Sequence, residues 1–287
     1  MAGRIGEKLS ALRATIGDFV RRRGDPEWQE TLRAALGVAP SGVAHMLPWV
    51  LRAREGKHAS LLNVAVDNAK DDPSGLAFEM DRQQLTWADL DVLTSRIARA
   101  LADRGVRRGD VVVLLAENSP GYVASVLGIS RAGATASLVN HHLAKGPLRH
   151  AIQASNARCA LVQSRFAEQV REDSTALGLE HVLIYDGGPL ELGVERMTDA
   201  PLVPVLTDAT DDFVYIFTSG TTGLPKPCKV THARALLAAA GFGPVVFGFR
   251  PGDKLYSVLP LYHSSALMLG AGSCIMTRTP MAMRERL

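Results

Sequence analysis

Cysteine is scarce in this sequence: Cys159, Cys228 and Cys274 are the only three in 287 residues. Their number is odd, their spacing is wide and no CxxC pair occurs. These features exclude a disulfide framework and a cysteine-held zinc site, and they suit a reducing compartment such as the cytoplasm. Long apolar runs are also missing. No continuously apolar stretch reaches the ~18 residues of a membrane span, and the N-terminus lacks the apolar region of a signal peptide. Charge of one sign is not in excess either: a net charge of +3 is too small to argue for nucleic acid as a partner. Lysine is rare, 7 residues against 25 arginines. That bias fits a GC-rich coding sequence rather than a phosphate-binding surface.

What remains is ordinary soluble composition, 47% hydrophobic and 21% charged, enough for one large domain or two small ones. No internal repeat occurs. Residues 1–55 read as a helical segment. Within them Ile5, Leu9, Leu12, Ile16, Phe19 and Val20 recur at helical spacing, beside Lys8, Arg13, Arg21, Arg22 and Arg23. Such a helix suits either peripheral contact with an anionic membrane surface or packing on its own domain.

From residue 56 the pattern is α/β, with layered sheets flanked by helices. In "TWADLDVLTSRIARALADRG", Thr86 is placed as an N-cap with Asp89 three residues on, an acidic capping box. Leu90, Leu93, Ile97 and Leu101 form one stripe, and Gly105 closes the helix. "DVVVLLAEN" is apolar without alternation, the pattern of a parallel strand covered on both faces. Ser119 and Pro120 then start the next helix as N-cap and N1. "ATASLV", "CALVQ", "HVLIY" and "FVYIF" are further strands and "LRHAIQASN" a short helix, which predicts a mostly parallel sheet. Residues 187–212 read as a surface connection.

The chemistry-bearing stretch is "FTSGTTGLPK". Gly220 and Gly223 permit backbone conformations closed to other residues, so main-chain N–H groups can converge on an anion. Thr218, Ser219, Thr221 and Thr222 add hydroxyl donors and Lys226 a full positive charge. Pro225 restricts the chain just before that lysine. The spacing is not that of the common GxxxxGK[ST] phosphate loop. Composition alone also suits a hydroxyl-rich turn with no ligand.

"YIFTSGTTGLPK" resembles, nearly residue for residue, the phosphate-binding core motif of the adenylate-forming superfamily. That group includes acyl-CoA synthetases, luciferases and the adenylation domains of peptide synthetases. "LTWADL…ATASLVN" resembles the first sheet-and-helix module of the same group. His232 falls where its members often have histidine. "VLPLYHSSALMLGAG" resembles the next core motif, and its "LPLYHS" form is most similar to the fatty-acid transport protein and very-long-chain acyl-CoA synthetase branch. The resemblance runs from about residue 60 to about residue 276. It implies ATP, Mg²⁺ and coenzyme A as cofactors and co-substrates, and a fatty acid activated first as acyl-adenylate and then as acyl-CoA. By position, Thr218 to Gly223 and Lys226 would hold the β- and γ-phosphates, with Thr218 and Lys226 in the catalytic role, and Tyr262 and His263 would line the acyl pocket. No residue is assigned to a metal. Two other readings stay open: a non-catalytic nucleotide- or acyl-binding fragment, and an adenylate-forming enzyme that passes its acyl group to a carrier-protein thiol.

Some features depart from that pattern. Ser265, Ala266 and Leu267 occupy the place where a glycine is usual. His141 and His142 in "NHHL" match no catalytic position and read as turn or surface histidines. No adenine-binding segment, Mg²⁺-binding acidic residue, ribose-binding aspartate or small C-terminal domain follows. Residues 56–287 are therefore expected to form a truncated N-terminal domain, inactive by itself. The ending "TRTPMAMRERL" lacks the apolar strand pattern expected there, which would leave a raw sheet edge.

Overall fold

The computed structural model describes residues 48–53, 55, 57–185, 202–219, 224–250 and 252–284. The amphipathic stretch of residues 5–23 and loop residues 220–223 lie outside the described residues.

Two sheets carry the fold. Strands β3 (Val111–Leu115), β4 (Thr135–Leu138), β5 (Cys159–Gln163), β6 (His181–Tyr185), β7 (Asp212–Ser219) and β8 (Pro225–Thr231) form the larger one, in the order β6-β5-β3-β4-β7-β8. All neighbours in it are parallel except β7 and β8, which form an antiparallel pair. The smaller sheet has the order β2-β1-β10-β9, from β1 (Leu76–Met80), β2 (Gln83–Thr86), β9 (Leu255–Ser257) and β10 (Met281–Met283). Helices α1 (Leu61–Asp71), α2 (Trp87–Ala102) and α3 (Pro120–Arg131) share one apolar core with both sheets. The elements on the remaining side are α4 (Lys145–Ala154) and the short α5 (Ala167–Arg171); α6 (His232–Gly241) follows β8, and α7 (Ser273–Thr277) precedes β10.

Strand β3 shows why its sequence has no polar alternation. Val112 and Leu114 belong to the core facing α2 and α3, whereas Val113 and Leu115 belong to a second core under α4 and α5. Side chains alternate faces along a strand, and here both faces are covered. The helix signals also act as their chemistry requires. The Thr86 hydroxyl accepts from the Asp89 N–H at 3.1 Å, and the Asp89 carboxylate accepts from the Thr86 N–H at 2.9 Å. Ser119 caps α3 by accepting from the Tyr122 N–H at 3.0 Å, with Pro120 in the first turn. Gly105 adopts φ +76° just after α2, a conformation costly for any residue with a Cβ. Gly128 is set by packing: a Cβ there would lie 2.7 Å from the Ile97 side chain, so its absence lets α2 and α3 approach.

One expectation is corrected. The "TPMAMR" stretch was expected to lack strand character, yet Met281–Met283 is an inner strand, parallel to both β1 and β9. Met281 and Met283 are buried on one face and Ala282 is half-buried on the other. Three residues flanked by a proline and an arginine carry too short a pattern to stand out. Pairing on both sides, rather than local preference, makes the strand.

Candidate functional site

The candidate phosphate loop grows out of the larger sheet. β7 is held by parallel β4 on one side and antiparallel β8 on the other. Its residues Phe213, Val214 and Ile216 are buried, which fixes the stem. Thr218 pairs with Lys226 and Ser219 with Pro225. Residues directly opposite on antiparallel strands share a face, so the Thr218 hydroxyl and the Lys226 ammonium stand on the same side of the hairpin, and both residues are exposed. Ser219 ends β7; Gly220, Thr221, Thr222 and Gly223 lie outside the described residues. The hairpin is tied down at both ends. His150 of α4 donates from Nε2 to the Pro225 carbonyl at 3.1 Å beside the loop, and Lys229 donates to the Asp212 carboxylate at 3.0 Å toward the base. Pro225 and Pro227 lie on the outermost strand, where missing N–H groups cost the ladder least.

The C-terminal ends of β3, β4, β5 and β7 lie at one end of the sheet because these strands run parallel. In open α/β sheets that end, at the point where strand order reverses, is where ligands bind. The reversal here is between β3, which leads on to β4, and β5, which leads on to β6. The two tips are bridged: the Glu117 N–H donates to the Gln163 side-chain oxygen at 3.0 Å, and the Glu117 carboxylate pairs with Arg165. The second motif is brought to the same end. Leu138 pairs with Ile216, so residues 140–142 leave β4 level with Thr218. The Tyr262 ring packs edge-on against His141 at 5.5 Å and lies 4.7 Å from the His263 ring. His141 in turn lies 4.1 Å from His142 and 6.0 Å from Phe166. Tyr262 is buried and its hydroxyl is harder to ionise for that reason, while His263 is exposed. Ser265, Ala266 and Leu267 open a wide, π-type helix over Ser265–Gly272, with Ala266 and Leu267 buried.

His141 differs from its reading as an ordinary turn histidine. It does sit in a turn, but half-buried, with Nδ1 shielded from solvent and without a partner. Burial, followed by the neighbouring His142, lowers its pKa to about 4, so it is neutral near pH 7. Asn118 was likewise read only as the end of a strand, yet its side chain reaches the main chain of residues 259–261. Nothing local marks either residue's role, because the Asn118 partners and the Tyr262 ring that packs on His141 lie more than a hundred positions away.

His232 is 2% exposed and packs against Phe213 with ring centres 5.0 Å apart, tilted by 39°, with Nδ1 buried and unpartnered. Burial lowers its pKa to about 4, against the opposing pull of Asp211 and Asp212. In the unfolded chain the ring binds a proton near pH 6.5, so between about pH 6.5 and 4 the unfolded state holds more protons than the native one. Stability is therefore lost as pH falls through that window. Between pH 7 and pH 5 the wild type is expected to lose about 2 kcal/mol more than His232→Leu in urea unfolding. Equal losses in the two proteins would mean that the ring is solvated.

Among the described residues no group of three or more His, Cys, Asp or Glu is arranged to hold a metal ion. No described helix is long and apolar enough to cross a membrane.

Comparison with known proteins places this geometry. The family described as AMP-binding enzyme matches residues 66–286. The medium/long-chain-fatty-acid–CoA ligase FadD6 of Mycobacterium tuberculosis is 35% identical over 240 residues, covering 81% of this chain and 39% of that protein. Long-chain fatty acid transport protein 1 of Rattus norvegicus is 34% identical over 213 residues, covering 70% of this chain and 33% of that one. Among solved structures, a long-chain-fatty-acid-CoA ligase (FadD1) from Archaeoglobus fulgidus superimposes with a TM-score of 0.72 at 21% identity, over 79% of this chain and 47% of that chain. The chain thus spans less than half the length of these relatives, and the two sheets and their helices match part of the N-terminal domain of adenylate-forming enzymes. It belongs to the AMP-binding enzyme family, with fatty-acid–CoA ligases and long-chain fatty acid transport proteins among its relatives.

Proposed function

We propose that this chain supplies the phosphate-gripping and acyl-lining part of a fatty-acid–CoA ligase. A carboxylate oxygen of the fatty acid attacks the α-phosphorus of ATP, the bond to the β-phosphate breaks, and pyrophosphate leaves. The thiol sulfur of coenzyme A then attacks the acyl carbonyl, AMP leaves, and the thiol proton goes to solvent. The observation that carries this reading is the arrival of two motifs at one end of one sheet: the Thr218–Lys226 pair on β7 and β8, and Tyr262–His263 against the tip of β4.

In this reading the chain's residues bind and orient. The Lys226 ammonium and the hydroxyls of Thr218, Ser219, Thr221 and Thr222 hold the β- and γ-phosphates, with main-chain N–H groups at Gly220 and Gly223. Such positioning and charge stabilisation supply most of the catalysis in phosphate chemistry. Tyr262 and His263 line the acyl pocket. Mg²⁺ would travel on the ATP phosphates. The described residues offer it no ligand cluster. Three free cysteines, two of them buried, agree with a reducing, cytoplasmic setting.

The test is Lys226→Ala in a protein of the relatives' length carrying these residues. A charge-assisted contact is worth about 1.5–3 kcal/mol, so fatty-acid-dependent ATP–pyrophosphate exchange should fall tenfold or more. Unchanged exchange would remove Lys226 from the site. Normal exchange with no transfer to coenzyme A would favour a carrier-protein thiol as the acceptor.

A further inference from the structure

The structure assigns to Asn118 the task of holding the segment Pro260–His263 in place; it is a positioning residue, and its consequence for catalysis rests on reading that segment as the acyl-pocket wall. Asn118 lies three residues beyond β3 and just before the Ser119 cap of α3, and it is 5% exposed. Its amide meets three main-chain groups. Nδ2 donates to the Leu259 carbonyl at 3.0 Å and to the Arg284 carbonyl at 3.3 Å, and Oδ1 accepts from the Leu261 N–H at 2.8 Å. Two acceptors and one donor in these positions fix which end of the amide is which, since the flipped group would set its oxygen against two carbonyls.

The three partners lie just beyond strands of the other sheet. Leu259 and Leu261 follow β9, Arg284 follows β10, and Asn118 extends the tip of β3 in the larger sheet. One side chain thus ties the two sheets together where both approach the site. It does so on either side of Pro260, whose carbonyl accepts the His263 N–H at 3.0 Å and so begins the turn that presents Tyr262 and His263. Proline has no N–H of its own, so the Leu259 carbonyl and the Leu261 N–H are the groups through which this stretch can be gripped. The edge-on contact of Tyr262 with His141 then sets the ring against the tip of β4. Loss of the Asn118 amide would free the segment on both sides of Pro260, where the turn begins, while removing no contact from β7, β8 or the phosphate hairpin. The residue should therefore govern binding of the acid and not of ATP.

Two measurements test this. The first needs no substrate: hydrogen exchange over residues 258–264 in wild type, Asn118→Ala and the isosteric Asn118→Asp, which keeps the acceptor and loses both donors. Exchange in that segment should rise at least tenfold in Asn118→Ala, with residues 212–219 unchanged. An unprotected Leu261 amide in the wild type, or unchanged exchange in the variants, overturns the assignment. The second is kinetic, in the full-length protein. KM for a long-chain acid should rise about tenfold in both variants, with KM for ATP within twofold of wild type. Val170→Ala, a distant core variant that also lowers stability, should move neither. An unchanged KM for the acid, or parallel rises in both constants, also overturns the assignment. A wild type that activates no fatty acid would sink the ligase reading, and the exchange result would still decide whether Asn118 holds the segment.

Discussion

Arg131→Ala is expected to cost about 3–5 kcal/mol of folding stability, the range for breaking one partner out of a buried ion pair. Arg131 is 1% exposed, at the C-terminal end of α3. Its guanidinium pairs with Asp91 of α2, donates to the Ser95 hydroxyl at 2.7 Å and reaches the Leu202 carbonyl. The Leu202 N–H donates to the same Ser95 hydroxyl at 3.0 Å, and the Val205 N–H donates to the Arg131 carbonyl at 3.0 Å. Burial pulls the guanidinium pKa down and Asp91 pulls it back up. The cluster therefore joins two helices to the segment that leads into β7, the strand that bears the candidate phosphate hairpin. Truncation would leave Asp91 with its charge uncompensated and the Leu202 carbonyl without its donor. Urea unfolding measures the loss. The double change Arg131→Met with Asp91→Leu should recover much of it, because apolar pairs of similar volume replace buried ion pairs at little cost. A loss below about 1 kcal/mol for Arg131→Ala would show that water reaches the pair.

The second large effect is substrate selection. If "LPLYHS" lines an acyl pocket of the fatty-acid type, a full-length protein carrying these residues should favour palmitate over acetate by about a thousandfold or more in kcat/KM. Burying even about five additional methylenes at about 0.8 kcal/mol each gives about 4 kcal/mol, which corresponds to about a thousandfold. Buried Tyr262 supplies an apolar wall suited to such a chain. Competition assays with acids of graded length provide the measurement. Equal turnover of acetate and palmitate would contradict the pocket assignment while leaving the phosphate loop in force.

The local signals in the sequence proved sufficient for most of the larger sheet. Thr86 with Asp89, and Ser119 with Pro120, mark helix starts through hydrogen bonds made within three residues. The apolar runs of β3, β5 and β7 mark strands whose two faces are covered. The candidate phosphate hairpin stood out because its hydroxyls, glycines and lysine sit within ten consecutive residues. The neighbouring Tyr262–His263 region was legible only in part. Tyr262 and His263 stood out as a motif, but Asn118 and His141 act through contacts that span more than a hundred residues, and Asn118 sits in "AENSP" with nothing in its neighbours to show what its amide meets. β10 escaped notice for the same reason, since its identity as a strand comes from β1 and β9.

The pairing of β1 with β10 also has a consequence for the order of events during synthesis. Phe78 pairs with Met281, about 200 residues later in the chain. At ribosomal rates of about 5–20 residues per second, the β1–β2 hairpin waits about 10–40 s for its inner partner. Through that interval the open side of β1 is a free strand edge, and Phe78 has not yet met Met281. Closing a sheet across such a separation is slow by its topology. The interval is a window for chaperone capture or for wrong pairing between nascent chains, and it ends only when residues 281–283 have left the ribosome.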